Sequence, residues 1–188
     1  MTFRRYILIA TLLIMIPLKG QMINRYGTTA ANFLEIGVGS DGNAMGEAYV
    51  AVTDGLSSIY WNPAGLSNVS KSSALFLIQP WLVDIDMLFA GGAMVIPRVG
   101  VIGLGITHLD YGEMDVTNLQ YQDGTGERFG ASDLAAALTF SRKIVSWFSF
   151  GSSMKYISSN IWHSSASAFA VDLGVLVNTN FFSFTGQD

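Results

Sequence analysis

The chain has 188 residues, of which 50% are hydrophobic and only 13% charged, with 20 glycines, no cysteine and a formal net charge of −4. So apolar a composition excludes a disordered chain, and the lack of cysteine excludes a disulfide-stapled scaffold. Beyond residue 20 no apolar run approaches the ~18–20 residues a spanning helix needs, and no basic patch marks a nucleic-acid partner. Two classes remain, a very apolar soluble β-protein and a β-barrel of the outer-membrane type.

Residues 1–20 read as a secretory signal peptide. MTFRR is the basic head, Tyr6 to Leu18 is the apolar core, and Gly20 is the small residue at the cut. An uncleaved anchor is the rival reading, but Tyr6 to Leu18 is short for a membrane span. Cleavage would remove Arg4, Arg5 and Lys19, taking the net charge from −4 to −7.

Residues 21–70 are rich in Gly, Ala and Asn and have little periodicity, so they read as a compact irregular segment. Ala44 to Val52 is expected to form a short helix and Asp54 to Trp61 another. From residue 72 the period becomes two, as in β-strands. Strands are expected at 72–79, 83–96, 99–111, 131–143, 146–157 and 166–178. In the second, Ile85, Met87, Phe89, Ala93 and Val95 oppose Asp84, Asp86 and Gly92. In the third, Ile102, Leu104, Ile106 and His108 oppose Gly103, Gly105 and Thr107. In the fourth, Leu134, Ala136, Leu138 and Phe140 oppose Asp133, Thr139 and Ser141. Phe148, Phe150, Met154 and Tyr156 oppose Ser149, Ser153 and Lys155 in the fifth; Phe169, Val171, Leu173, Val175 and Val177 oppose Asp172 and Asn178 in the sixth.

A sandwich also alternates, so the connections carry the choice between the two classes. Pro97-Arg98 and Ile144-Val145 read as tight joins, whereas QPWLV, the acidic stretch 110–130 and SSNIWHSS read as longer ones. Short and long connections in turn are the habit of outer-membrane barrels. The expected fold is therefore all-β, an antiparallel transmembrane β-barrel with its apolar side chains turned to lipid. About eight strands are the fewest such barrels use, so the chain is expected to be the N-terminal part of a longer protein, or one of several chains sharing a barrel.

SSIYWNPAGLS, residues 57–67, sets two aromatic rings against a rigid Asn-Pro turn just before the strands begin. Pro63 fixes φ and disfavours a helical Asn62, whose side chain can close the turn on nearby backbone. Residues 29–67 resemble the N-terminal signature of the PorV/PorQ family, relatives of the FadL-type outer-membrane transporters. The stations that match are Phe33-Leu34, Met45-Gly46-Glu47-Ala48-Tyr49-Val50-Ala51, Asp54, Ser57-Ser58 and Tyr60 through Leu66. Glu47 stands where the family more often has Gly, and Ser58 where it more often has Ala.

The resemblance implies a FadL-like barrel of about fourteen strands, within the range of such barrels, with residues 21–70 folded into its lumen as a hatch. Gly46, Asp54, Tyr60, Trp61, Asn62, Pro63 and Gly65 are the candidate hatch residues. Tyr60 and Trp61 are expected to wedge the hatch to the wall, their polar tips finding partners. The implied function is type IX protein secretion, with secreted cargo proteins, secretion-system components and outer-membrane lipid as partners. The alternative is FadL-like uptake of long-chain fatty acids or other hydrophobic small molecules. A porin-like or adhesive barrel without a dedicated substrate is a third.

No motif indicates an enzyme, a metal or a cofactor. GVGSDG (37–42) has dinucleotide-loop spacing but lacks a preceding strand and a downstream acid, Asn62 standing where that acid would be. His108 and His163 are the only histidines, and neither lies in a metal-ligand spacing. His163 precedes Ser164 and Ser165, but no G-x-S-x-G elbow accompanies them. Trp162 and His163 read as residues of an outer loop at the membrane interface. Asp84 and Asp86 read as lumen-lining or loop-proximal, and Asn68-Val69-Ser70 as an incidental sequon.

Overall fold

A computed structural model describes residues 31–82 and 85–179. The expected signal peptide, the first part of the expected hatch, Asp84 and the residues from 180 onward lie outside those. Six strands, β1 (Ser73–Pro80), β2 (Asp86–Ile96), β3 (Gly100–Asp115), β4 (Arg128–Val145), β5 (Phe148–Ile161) and β6 (Ser164–Val177), form one antiparallel sheet in chain order. The chain is all-β, as its period-two alternation predicts. All connections but that between β3 and β4 are too short for a parallel crossover, which needs a dozen residues or more, and β3 and β4 pair antiparallel as well. β1 and β6 are the free edges of the described sheet.

The connections differ from the sequence reading. β3 and β4 run well into the stretch read as an outer loop, pairing Glu113 with Gly130 and Asp115 with Arg128 beyond a bulge at Asp110/Glu113. The loop proper is residues 116–127. Ile144-Val145 is not the tight join, because β4 continues to Val145 through a bulge and the chain reverses at residues 146–147. The fifth join shrinks to residues 162–163, where Trp162 adopts a left-handed φ of 50°. Polar Ser and Asn residues in 158–165 look like loop in the sequence but pair as strand, because a hairpin ladder satisfies their backbone whatever their side chains. The regular alternation of short and long joins fails at that hairpin.

The sheet has an open face and a covered face. On the open face, register rows cross all six strands. Ala74, Gly92, Leu104, Leu138, Met154 and Val171 form one; Phe76, Ala90, Ile106, Ala136, Tyr156 and Phe169 form the next. Leu104 is 63% exposed, Val171 69% and Phe169 76%, so nothing among the described residues covers them. The covered face carries Leu75, Gly91, Gly105, Ala137, Lys155 and Ala170 in one row, small on β2 to β4 and large on β1 and β5.

In β3 to β6 the apolar residues read from the alternation are those of the open face. β2 is the exception. Met87 and Phe89 are 1% and 2% exposed and lie in the core under the N-terminal segment, while Leu88, Ala90 and Met94 take the open face. Both faces of β2 are apolar, so alternation alone could not say which is outward. Asp86 ends that strand opposite Pro80 and Asp110.

Residues 31–70 fold as short helical turns: Asn32–Glu35, α1 (Ser40–Ala44), Gly55–Ser57, α2 (Ser58–Trp61) and Pro63–Asn68. The helix expected over Ala44 to Val52 does not form. It is displaced to Ser40–Ala44, and Gly46 and Glu47 follow at φ 61° and 67°, a left-handed pair that no right-handed helix contains. Asp54 to Trp61 is helical as expected, with Asp54 as its N-cap accepting from the Gly55 N–H at 2.8 Å. No described helix is long and apolar enough to cross a membrane.

Candidate functional site

The candidate site is where residues 56–66 meet the covered face. Its geometry follows from Asn62-Pro63. Pro63 holds Asn62 extended, at φ −156° and ψ 110°. The Asn62 side chain then turns back, its Oδ1 accepting from the Ala64 N–H at 3.0 Å. Its Nδ2 donates to the Val50 carbonyl at 3.0 Å and to the Val175 carbonyl of β6 at 3.2 Å. One buried amide therefore joins two stretches of the segment to the sheet, using acceptor and donors together.

Glycines on the sheet make room for this turn. A Cβ on Gly151 would collide with the Pro63 carbonyl and the Ala64 nitrogen; one on Gly174 would collide with Asn62 Oδ1 and the Pro63 ring. On β3, a Cβ at Gly103 would come within 2.7 Å of Leu66, and one at Gly105 within 2.6 Å of Ile59. Ser141 of β4 donates to the Ala64 carbonyl at 3.0 Å. Gly65 is held tight inside the segment itself, against Ser58 and Thr53, whose hydroxyls are 3.2 Å apart. That contact satisfies the buried Ser58 hydroxyl.

The polar tips of Tyr60 and Trp61 find their partners within the segment. The Tyr60 hydroxyl donates to the carbonyls of Leu34 and Ile36, and Trp61 Nε1 donates to Val38 at 2.9 Å. Their polar tips thus tie the segment to itself. The Trp61 ring lies against Gly37 and Gly42 and meets Tyr49 edge-on at 5.8 Å. Two glycines of the GVGSDG run are thereby seats for an indole, which accounts for them without a phosphate. Ile59, Leu66 and Asn62-Pro63-Ala64 contact the sheet, and the Tyr60 ring packs on the same core. Gly46 lies in an exposed turn, away from the sheet, and serves backbone conformation alone.

Lys155, on the covered face of β5, pairs with Asp172 of β6 at 2.7 Å and lies 5.9 Å from the centre of the Tyr60 ring. Two hollows flank this group. One of ≈ 500 Å³ is lined by Glu35, Glu47, Tyr60 and Lys155, the other of ≈ 480 Å³ by Asn62, Lys155 and Asp172. Burial, and after it the carboxylates of Glu47 and Glu35, push the Tyr60 phenol well above its ordinary range, so it remains a donor at any physiological pH. Gln79, which the sequence did not single out, clamps the same segment from β1, accepting from the Gly39 N–H at 3.4 Å and donating to the Gly37 carbonyl at 3.2 Å. His108 lies on the open face of β3, and His163 stacks on Trp162 at 4.8 Å in the β5–β6 turn. No group of three metal-ligating side chains occurs among the described residues.

Compared with protein-family models, with curated proteins and with solved structures, the chain matches none closely enough to establish a relationship.

Proposed function

We propose that the sheet is part of the wall of an outer-membrane β-barrel of the PorV/PorQ kind, its open face in lipid and residues 31–70 a lumenal hatch. The observation that carries this is the open face. Its rows run from that of Phe150 and Val175, which Arg142 shares, through one that is apolar at Ile78, Leu88 and Leu134 and polar at His108, Ser158 and Ser167, to a polar row of Pro80, Asp86, Asp110, Ser132, Asn160 and Ser165. With two residues per row step, those rows span about 27 Å along the strands, or ~20 Å at a barrel tilt, close to the apolar band of such proteins. Aromatic rings stand at both ends, Trp147 and Phe148 at one, Trp81, Phe129 and Trp162 at the other, as interfacial girdles do. A water-soluble sheet has no use for so wide an uncovered apolar surface. Its free edges must still be paired in hydrocarbon, so strands outside the described sheet close the barrel.

Of the two transport readings, export ranks first. The hollow beside Tyr60 carries Glu35, Glu47 and Lys155, a lining that suits a greasy ligand poorly. The function proposed is therefore type IX protein secretion, with cargo proteins received at the cell surface; FadL-like uptake stands second. Deleting residues 21–70 tests the hatch. The barrel is expected to insert in the outer membrane while secretion fails, and loss of insertion would make the segment a folding element. A null strain that keeps its secreted cargo outside the cell but stops growing on long-chain fatty acid would reverse the ranking.

A further inference from the structure

β1 is a free edge with a socket beneath it. No backbone group of Ser73–Pro80 bonds outside the β1–β2 ladder among the described residues. The N-terminal segment overhangs this edge, tied there by Gln79 through Gly37 and Gly39. Between overhang and strand lies a hollow of ≈ 330 Å³. Leu75 and Leu77 are its only described lining from the sheet and no residue of β2 reaches it, so it opens toward the unpaired side of β1. Val38 and Leu56, both buried, supply apolar wall from the segment. Asp41 and Asp54 line it too, and neither is paired with a cation among the described residues.

We infer that the hollow is the socket for the strand that pairs with β1, and that this strand seats one large apolar side chain in it. On the same inner face the strand carries Lys or Arg for Asp41 and Asp54. The inference rests on the barrel reading, in which the β1 edge has to be paired. A strand laid beside β1 turns every second side chain to the covered face, about 7 Å apart, and one opposite Leu75 or Leu77 comes within about 5 Å of it. An apolar group there completes the wall that Val38 and Leu56 begin. Edge pairing supplies the affinity and the pocket for alternate side chains supplies the choice of strand. A second copy offering its own β1 fits less well. SALFLIQP carries no charge, so it would leave both carboxylates unanswered.

The test uses the full chain folded in maltoside micelles. The probe is a dye-labelled synthetic peptide in which valines alternate with threonine, lysine, leucine, lysine and threonine, in that order. The leucine then lies between lysines on one face of the strand. Binding is read by fluorescence anisotropy against empty micelles. Replacing the leucine by serine should weaken binding about tenfold or more, and methylating the peptide nitrogens should abolish it. Combined Asp41→Asn and Asp54→Asn should weaken it about threefold, with Asp123→Asn as the unchanged control. Asparagine at position 54 keeps the cap on the Gly55 N–H. If the double variant loses its β-sheet circular dichroism, a peptide with glutamates for lysines is read on the parent, and a loss of about threefold or more is expected. No binding, or binding that is indifferent to the leucine, to the methylation or to the lysines, overturns the proposal. So does a dimer in native mass spectrometry that excess peptide leaves intact, because a second copy then holds the edge. Quenching of Trp147 and Trp162 by brominated lipid in vesicles separates the failures. Quenching without leucine-dependent binding removes this inference alone, and no quenching removes the membrane reading with it.

Discussion

Asn62 concentrates more of the architecture than any other single side chain. Its amide caps the Ala64 N–H and holds two carbonyls, one of them on β6, at 5% exposure. Asn62→Ala would leave those groups unpaired, and a loss of about 2–3 kcal/mol is expected in urea unfolding. Its part in closing the turn is legible from Asn-Pro alone. Its bond to Val175 is not, because that partner is 113 positions away and becomes a neighbour only when six strands pair. Glu47 raises a second residue-scale expectation. It stands at φ 67°, a left-handed conformation that Gly adopts most readily. Glu47→Gly should therefore stay within about 1 kcal/mol of the parent, strain relief offsetting the lost bond to the Gly37 N–H and the added chain entropy. Glu47→Val should cost about 2 kcal/mol, since a β-branched residue tolerates that conformation worst.

Between elements, the tightest seam is the one where the 62–64 turn lies on Gly151 of β5 and Gly174 of β6. Gly174→Val would put branched carbon into Asn62 and the Pro63 ring. A loss of about 1–3 kcal/mol is expected, with faster proteolysis of residues 31–70 and the sheet itself retained. The Tyr60 phenol gives this seam a pH signature. Its folded-state pKa is raised above the ordinary value of 10.0, so its stabilising contribution is complete below pH 10 and falls as pH rises beyond it. Stability against pH should bend downward there in the parent, and the bend should shrink in Tyr60→Phe. At this scale the alternation located all six strands, because a half-exposed strand repeats every two residues. It misjudged their ends and turns. Polar strand extensions such as Ser158 to Ser165 differ from loop in pairing partners, not in composition. The segment's helices were half legible for a like reason: Asp54 announces a cap, whereas Gly46 marks only half of the left-handed pair and Glu47 gives no sign of its own.

For the molecule as a whole, the open face decides between water and lipid. Leu138→Lys sits in a middle row of the band and Ser132→Lys in the polar row at its margin. In a bilayer the first should cost about 2–4 kcal/mol and the second about 0–1, read as folding free energy into lipid vesicles. A soluble sheet would show no such gradient with depth, and equal costs at the two positions would end the barrel reading. The sequence by itself determined the all-β class, the six alternating strands and the non-sheet character of the segment ahead of them. Those follow from local periodicity and from turn residues acting on their own neighbours. Only the tertiary structure decided which face of β2 is covered, that Tyr60 and Trp61 bind the segment to itself, and that Gly151 and Gly174 are its seats. Each of these is set by which distant surfaces come into contact, and a strand apolar on both sides, or a glycine opposite nothing in its own neighbourhood, carries no mark of what will lie against it.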